Sequence, residues 1–298
     1  MNSESVESKL DSIETDLLLE AVYRYYGYDF RDYEPSAVRQ RIREAMLAGR
    51  VSTISRFQEK LLHEPAVLRR FLRAFSITGL TLFSDPNFFT EFRSKVVPKL
   101  RTYPFIRIWH AGCSTGEDVY SMAILLKEEG LYARSRIYAT DLSEIALKQA
   151  RTGSYPSPAV DQSVADYRGA GGAGSLSDYF KKRGNRLVVD PLLRKNIVFS
   201  EHNLSTDGSF NEFQVIVCRN MLGMFNYRLR ERVGKLINES LSRFGILALG
   251  RAESFDWMPF GCRYEPINED GGLYQKLGSS EITTLGRVES KGKQRVER

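Results

Sequence analysis

From residue 105 onward, short apolar runs rich in β-branched residues alternate with segments whose apolar residues recur at helical spacing. Strands that alternate with helices form βαβ units, so this part of the chain predicts an α/β fold with a doubly wound, mostly parallel sheet. In such sheets ligands bind beyond the carboxyl ends of the strands. The predicted strands are IRIWHAG at 106–112, RIYATD at 136–141, NIVFSEHN at 196–203, FQVIVCRN at 213–220 and GILALG at 245–250.

Two segments depart from this alternation. Residues 16–85 have helical spacing and then a linker, which predicts a small all-helical domain ahead of the 86–280 domain that holds the sheet. One helix is expected to begin at Pro35 and to end near Gly49. The stretch 151–195, rich in Gly, Ser and Pro, is longer than an ordinary connection and predicts a small inserted subdomain.

The ends of the chain and its cysteines indicate where in the cell the protein is expected. Residues 1–15 and 281–298 are polar, charged and without aromatic residues, and we expect flexible tails there. No apolar run approaches the roughly 20 residues that span a bilayer, and the N-terminus has no signal-peptide pattern, so we expect no membrane insertion. Cys113, Cys218 and Cys262 lie far apart, which disfavours disulfides or a metal site and favours a cytoplasmic location.

The formal net charge of +6 is concentrated in one segment. Residues 38–75 contain nine Arg and Lys residues against three acidic ones. Arg39, Arg43 and Arg50 fall within about 40° of one another around the predicted helix, which therefore has a basic face as well as a core face. Such a face is typical of a site for nucleic acid, anionic lipid or an acidic protein helix, and equally of an ordinary solvated surface.

The first predicted strand runs into a helix through the turn Gly112-Cys113-Ser114-Thr115-Gly116-Glu117. Small residues let the backbone approach a ligand, and a helix N-terminus offers free N–H groups. The turn matches neither GxxxxGK[ST] nor GxGxxG, and alone it fits a structural turn equally well. Asp141 closes the next strand, 24 residues after Glu117. A carboxylate there can accept ribose hydroxyls, or it can cap the following helix, as Ser143 also could.

The next two strands end in His202-Asn203-Leu204 and Cys218-Arg219-Asn220. Asparagine side chains at these points can pair with an adenine edge and with the backbone of a small polar ligand. Four consecutive strand ends with small or polar residues are difficult to explain by core packing. They predict a ligand site at this edge of the sheet.

These signatures, in this order, resemble those of the CheR family of class I, Rossmann-like S-adenosylmethionine-dependent methyltransferases. The resemblance is carried by RIWHAGCSTGEDVYSMAILL, IYATDLSEIALKQARTGSY, NIVFSEHNL and VIVCRN, and further on by LALGRAES and LYQKL. Upstream, YGYDFRDYEPSAVRQRIREAM through FSDPNFF is similar to the family's helical N-terminal domain and linker. The match covers roughly residues 17–278, and the ordered string of motifs is more specific than any one of them.

The resemblance implies S-adenosylmethionine as the cofactor, S-adenosylhomocysteine as the product, and no metal. It implies methyl transfer to glutamate side chains, which are ionised at neutral pH and need no strong base. The partners it implies are cytoplasmic helices of a chemoreceptor or a related signalling protein, which dock on Arg39, Arg43 and Arg50. In some members the inserted subdomain also grips a tethering peptide. The cofactor site that the resemblance implies comprises Gly112, Glu117, Asp141, Asn203, Leu204, Arg219 and Asn220, with Asp141 on the ribose.

Two positions depart from the family's pattern. The family's Thr-x-Phe/Met-Phe-Arg before Asp-Pro is Leu80-Thr81-Leu82-Phe83-Ser84 here, and the tyrosine of Cys-Arg-Asn-x-Leu-Ile-Tyr-Phe is Met224. In the family that arginine and tyrosine lie beside the transferring methyl, so no catalytic residue is secure, and Ser84 and Met224 predict slow turnover.

Three hypotheses stay open on the sequence. The chain is an active glutamate methyltransferase, or a module that binds the cofactor and docks to a signalling complex without turnover. The third hypothesis is an RNA methyltransferase, which the few aromatic residues in 38–75 disfavour because nucleic-acid platforms interleave basic and aromatic side chains.

Overall fold

The computed structural model describes residues 3–76, 81–254, 263–267 and 272–278. Its first part is helical. Helix α2 begins at Pro35 and ends at Gly49, as the sequence predicts, and Arg50 follows in the left-handed conformation (φ 51°). The helices of this part are α1 Ser3–Tyr26, α2 Pro35–Gly49, α3 Ile54–His63 and α4 Pro65–Ala74.

The prediction of a flexible tail over residues 1–15 is wrong for the part that the structure describes, because α1 begins at Ser3. Polarity is a poor guide here, since a helix on the surface needs only one side to meet the rest of the domain. One contact of this part of α1 is with α2, where Arg43 lies 3.6 Å from Asp11. The tail predicted at 281–298 lies outside the described residues.

The second part is built on a mostly parallel sheet. The five predicted strands are confirmed to within a few residues. Its strands, with three from an insertion, are β1 Ile106–Ala111, β2 Ser135–Asp141, β3 Ser154–Pro156, β4 Phe180–Arg183, β5 Arg186–Val189, β6 Ile197–Glu201, β7 Phe213–Cys218, β8 Leu241–Leu249, β9 Tyr264–Pro266 and β10 Leu273–Lys276. The helices are α5 Pro86–Glu91, α6 Val97–Leu100, α7 Glu117–Glu128, α8 Glu144–Thr152, α9 Ser157–Gly169, α10 Pro191–Arg194 and α11 Tyr227–Ser240, with a π-helical turn at Phe92–Val96.

The main sheet has seven strands in the order β6-β2-β1-β7-β8-β10-β9. The strands from β6 to β8 are parallel, and β10 and β9 add two antiparallel strands at one edge. Strand order reverses at β1, which pairs with β2 on one side and β7 on the other. The carboxyl end of β1 is therefore the switch point at which α/β sheets bind ligands.

Alternate residues of the strands supply two apolar cores, one on each face of the sheet. Ile108 and Val215 belong to the first core, together with α7. Trp109 and Ile216 belong to the second, together with α11 and the apolar residues of α1–α4. The helical domain is thus packed on the second face, and it reaches the carboxyl edge of the sheet at Phe75.

The inserted stretch forms a sheet of its own. Strands β3, β5 and β4 pair antiparallel in that order, and α9 connects the first of them to the rest. This small sheet lies within 151–195, where the composition predicts an inserted subdomain. No helix in the described ranges combines the length and apolar character needed to cross a membrane.

Candidate active site

The turn after β1 brings the backbone close to the next loop along the edge. Gly112 and Gly116 have φ of 75° and 91°, which strains residues that carry a Cβ. A Cβ on Gly112 would also lie 2.7 Å from the sulfur of Met221. The glycine therefore lets the loop after β7 pack directly on the turn after β1.

Asp141, at the end of β2, is buried and accepts hydrogen bonds from several neighbouring groups. The backbone N–H groups of Ser114 and Ser143 donate to it at 2.8 and 2.9 Å, and the hydroxyl of Ser76 donates at 2.8 Å. Burial raises the pKa of the Asp141 carboxyl, while these donors oppose the rise. Helix α8 is capped by the Ser143 hydroxyl, which accepts from Ala146 N–H at 3.3 Å. Ser143 is therefore the side chain that caps α8, which excludes the capping role that the sequence also allows for Asp141.

Two clefts meet at Gly112. The lining of the β2–β6 cleft includes Tyr33, Phe75, Asp141, Asn203, Leu204 and Met221. The lining of the β1–β7 cleft includes the charged residues Asp118 and Arg219, together with His110, Cys113 and Asn220. The strand ends therefore form two adjoining clefts that share Gly112.

Arg219 lies between two carboxylates. Its Nη1 is 3.0 Å from Asp118 Oδ1 and its Nη2 is 3.1 Å from Asp85 Oδ2. The guanidinium also lies over the ring of Phe88, 4.1 Å from its centroid. These contacts hold the arginine in place at the end of β7 and connect it to the linker and to α7.

His110 is a residue of the site that the sequence analysis does not select. It is the next-to-last residue of β1, and its Nδ1 lies 3.9 Å from Asp118 Oδ2. Burial lowers its pKa to about 4, so the imidazole is neutral at neutral pH. The available signal is a polar residue just before the carboxyl end of the strand.

Glu253 and Ser76 are also absent from the predicted site. The Glu253 carboxylate accepts backbone N–H groups of Asn220, Leu222 and Gly250 at 2.7–2.8 Å, and so it fixes the loop after β7. Ser76 comes from the helical domain, and nothing in its local sequence marks it.

The remaining predicted positions lie around the clefts. Glu117 begins α7 and its carboxylate accepts from the hydroxyl of Thr115 at 2.7 Å, while burial raises its pKa. Asn203 and Leu204 line the β2–β6 cleft. Glu117 is not one of the residues that line the two described clefts.

The departures from the family pattern are only partly described. Leu80 lies outside the described residues. Ser84 is half-buried in the linker, next to Phe83 and Asp85, whose φ angles of 57° and 68° are left-handed. Met224 is half-buried, and its carbonyl accepts the N–H of Glu34 at 2.8 Å. Neither Ser84 nor Met224 is among the residues that line the two described clefts.

The basic face of α2 is exposed. Arg39, Arg43 and Arg50 all lie on the surface. The ion pair of Arg43 with Asp11 is long and solvated, with 69% of the arginine side chain exposed.

Comparisons with known proteins agree with this architecture. The family model described as CheR methyltransferase, SAM binding domain matches residues 80–262, and the one described as CheR methyltransferase, all-alpha domain matches residues 13–76. A putative methyltransferase, Cher3, of Pseudomonas putida is 41% identical over 264 residues, which cover 89% of this chain and 97% of that protein. A chemotaxis protein methyltransferase of Listeria monocytogenes is 29% identical over 234 residues, which cover 78% of this chain and 86% of that protein.

A solved structure is similar at lower identity. It is a SAM-dependent methyltransferase from Geobacter sulfurreducens in complex with S-adenosyl-L-homocysteine, at 14% identity and a TM-score of 0.33. The match covers 61% of this chain and 54% of that one.

Proposed function

Because the chain belongs to the CheR methyltransferase family and has its S-adenosylmethionine (SAM)-binding domain, we propose that it methylates glutamate side chains of chemoreceptor-type signalling proteins. The observation that carries the proposal is the junction of the two clefts at Gly112. SAM has an adenosine end, an amino-acid end and a reactive sulfur between them. In this proposal the β2–β6 cleft takes the adenosine end and the β1–β7 cleft takes the amino-acid end, which leaves the sulfur near Gly112.

The residues of the β2–β6 cleft fit an adenosine. Leu142 and Leu204 provide apolar walls for a base, and Asn203 provides a polar edge. Asp141 would hold the ribose. A carboxylate has about four acceptor positions, and Asp141 already accepts from Ser76, Ser114 and Ser143, with the backbone N–H of Leu142 as a further donor. The donor that a ribose hydroxyl would most easily replace is the Ser76 hydroxyl, because the other donors are backbone groups of fixed turns.

The residues of the β1–β7 cleft fit an amino acid. Arg219 and Asn220 carry the polar groups at the end of β7, and Gly112 keeps the path to the sulfur open. Glu117, at the start of α7, completes the proposed cofactor-binding set.

The reaction requires little from the protein beyond alignment of the carboxylate with the methyl group. SAM supplies a methyl group on a positively charged sulfur, which a carboxylate can attack in line. A glutamate is ionised at neutral pH, so the site needs no general base. The chain would contribute orientation and exclusion of water, which can account for several kcal/mol of a barrier, on the order of 7–11 in well-oriented cases.

The exposed basic face of α2 is the proposed docking surface for the substrate. Arg39, Arg43 and Arg50 would meet acidic side chains of the receptor helices around the glutamate that is methylated. The name of the Listeria relative, a chemotaxis protein methyltransferase, supports this choice of substrate.

The test is transfer of labelled methyl from SAM to purified cytoplasmic fragments of receptors from the same organism. We expect label on the fragment that is released as methanol by mild alkali, as carboxyl methyl esters are. A matched fragment with its acceptor glutamates changed to glutamine should take up no label. Label on added RNA, or label that resists alkali, would overturn the assignment of the substrate.

A further inference from the structure

The inserted sheet β3-β5-β4 has a covered face and an open face. On the covered face, Phe180 pairs with Val189, and Leu187 pairs with Tyr155. Phe180, Val189 and Tyr155 are buried in the first core, and Leu187 packs against it. Successive side chains of a strand point to opposite faces, so the alternate residues form the open face. We call this the outer face, and its members are Ser154, Pro156, Lys181, Arg183, Arg186 and Val188.

The outer face has three cations and no acidic residue. Lys181, Arg183 and Arg186 are exposed, and no ion pair among the described residues involves them. Arg183 and Arg186 lie directly opposite each other on β4 and β5. Like charges in that arrangement destabilise a strand pair. Folding therefore gives no reason for this charge pattern, and the pattern indicates an anionic partner.

The cations are spread across the sheet. Arg186 reaches from β5 to β3, where its Nε donates to the hydroxyl of Ser154 at 2.8 Å and its Nη2 donates to the carbonyl of the same residue. The nearest acidic residues along the chain, Asp178 and Asp190, lie outside the strands. The Asp190 carboxylate accepts the N–H of Leu192 at 2.8 Å and so caps α10. The positive charge of the outer face is therefore not neutralised locally.

The shape of the outer face favours one class of partner. None of its residues lines a described cleft, and small ligands need a concave site. It has no aromatic side chain on which nucleic-acid bases could stack. An extended peptide adds to the edge of a sheet through backbone groups and does not need a charged face. A bilayer with anionic headgroups is broad and negatively charged, and it requires neither a pocket nor stacking.

We propose that the outer face of the inserted sheet docks on an anionic lipid surface. Lys181, Arg183 and Arg186 contact the anionic headgroups. Each Lys or Arg near such a surface strengthens binding about fivefold, so the contact is peripheral and reversible. The contact is independent of the proposed function, since none of these three residues belongs to the proposed cofactor site or to the docking surface on α2.

Cosedimentation of the purified chain with vesicles tests the contact. Vesicles of phosphatidylglycerol and phosphatidylcholine present anionic headgroups, and vesicles of phosphatidylcholine alone are the neutral reference. We expect the parent to bind only the anionic vesicles, and to bind them less as salt is added, because exposed charges are screened over about 8–10 Å. Equal binding to both kinds of vesicle, or to neither, would overturn the proposal. A parent that binds single-stranded RNA and leaves anionic vesicles free would overturn the choice of a lipid surface.

Three paired substitutions locate the contact. Lys181→Gln with Arg183→Gln should bind anionic vesicles about thirtyfold more weakly, since two cations are lost. Lys181→Arg with Arg183→Lys keeps both charges and should bind as the parent does. Arg39→Gln with Arg43→Gln removes the same charge from α2 and should weaken binding less than about threefold, because distant exposed charges are screened. Equal losses in the two glutamine variants mean attraction by net charge alone and overturn the proposal. Urea unfolding checks that the variants are as stable as the parent.

Discussion

Replacement of Arg219 by methionine should destabilise the fold far more than the loss of an exposed arginine. Arg219 has 8% of its side chain exposed and pairs with Asp118, which has 12% exposed, and with Asp85, which has 29% exposed. Methionine keeps much of the apolar body of the side chain and removes the charge. The carboxylate of Asp118 then stays in a site sheltered from water without its cation.

The magnitude follows from burial. Removal of one partner of a buried ion pair costs about 3–5 kcal/mol, because the other charge is left uncompensated. The more exposed pair with Asp85 adds little, about 0–1 kcal/mol. We therefore expect Arg219→Met to lower the free energy of unfolding by about 3–4 kcal/mol at pH 7.

Urea unfolding followed by circular dichroism measures this loss. Arg24→Met is the matched control, since Arg24 lies 2.6 Å from Glu20 but is 77% exposed; it should cost less than about 1 kcal/mol. Asp118→Asn in the Arg219→Met background should recover part of the loss, with a coupling energy of at least about 1 kcal/mol. An Arg219→Met variant as stable as Arg24→Met, or strict additivity with Asp118→Asn, would refute the reasoning.

Three further predictions concern docking, catalysis and pH. Arg39→Glu with Arg43→Glu should weaken binding to receptor fragments and leave SAM affinity unchanged, and the weakening should be largest at low salt because exposed charges are screened over about 8–10 Å. Equal binding of receptor fragments by parent and variant favours an ordinary solvated face. Ser84→Arg with Met224→Tyr should raise the rate of methyl transfer at least about tenfold, ~1.4 kcal/mol of barrier, since both changes restore family residues that act as one unit. Fast methyl transfer by the parent, with no gain in the variant, means that other residues orient the reactants. Burial lowers the pKa of His110 from 6.5 to about 4 on folding, so its contribution to the free energy of unfolding is fully present above pH 6.5 and declines by about 3 kcal/mol as the pH falls toward 4. His110→Gln should remove that part of the decline, and an unchanged pH profile in the variant contradicts the prediction.

The carboxyl-edge site could be predicted because parallel strands bring their ends together whatever lies between them. We could select Asp141, Asn203 and Arg219 from the sequence because each lies at or just after the end of a predicted strand. The helical domain and the inserted sheet were visible as breaks in the alternation of strands and helices. Gly112 was visible because only a residue without Cβ suits such a turn.

Contacts between distant segments could not be predicted in the same way. Arg219 pairs with residues 101 and 134 positions away, and no local pattern gives such a pairing. Ser76 reaches Asp141 only because the helical domain packs on the second face of the sheet. The error at α1 has a similar cause, since polarity does not reveal whether a helix has a neighbour to pack against.

The central claim is that SAM binds at the strand ends through Asp141. Calorimetric titration of SAM into the parent, Asp141→Ala and Asp161→Ala tests it, with Asp161 as an exposed control on α9. Asp141→Ala also removes the acceptor of buried backbone N–H groups, so its fold is checked by urea unfolding, where we expect a loss of about 1–3 kcal/mol.

We predict one SAM site in the parent and in Asp161→Ala. Folded Asp141→Ala should bind at least about tenfold more weakly, because a charge-assisted hydrogen bond contributes roughly 1.5–3 kcal/mol. A folded Asp141→Ala variant that binds SAM as tightly as the parent would contradict the claim.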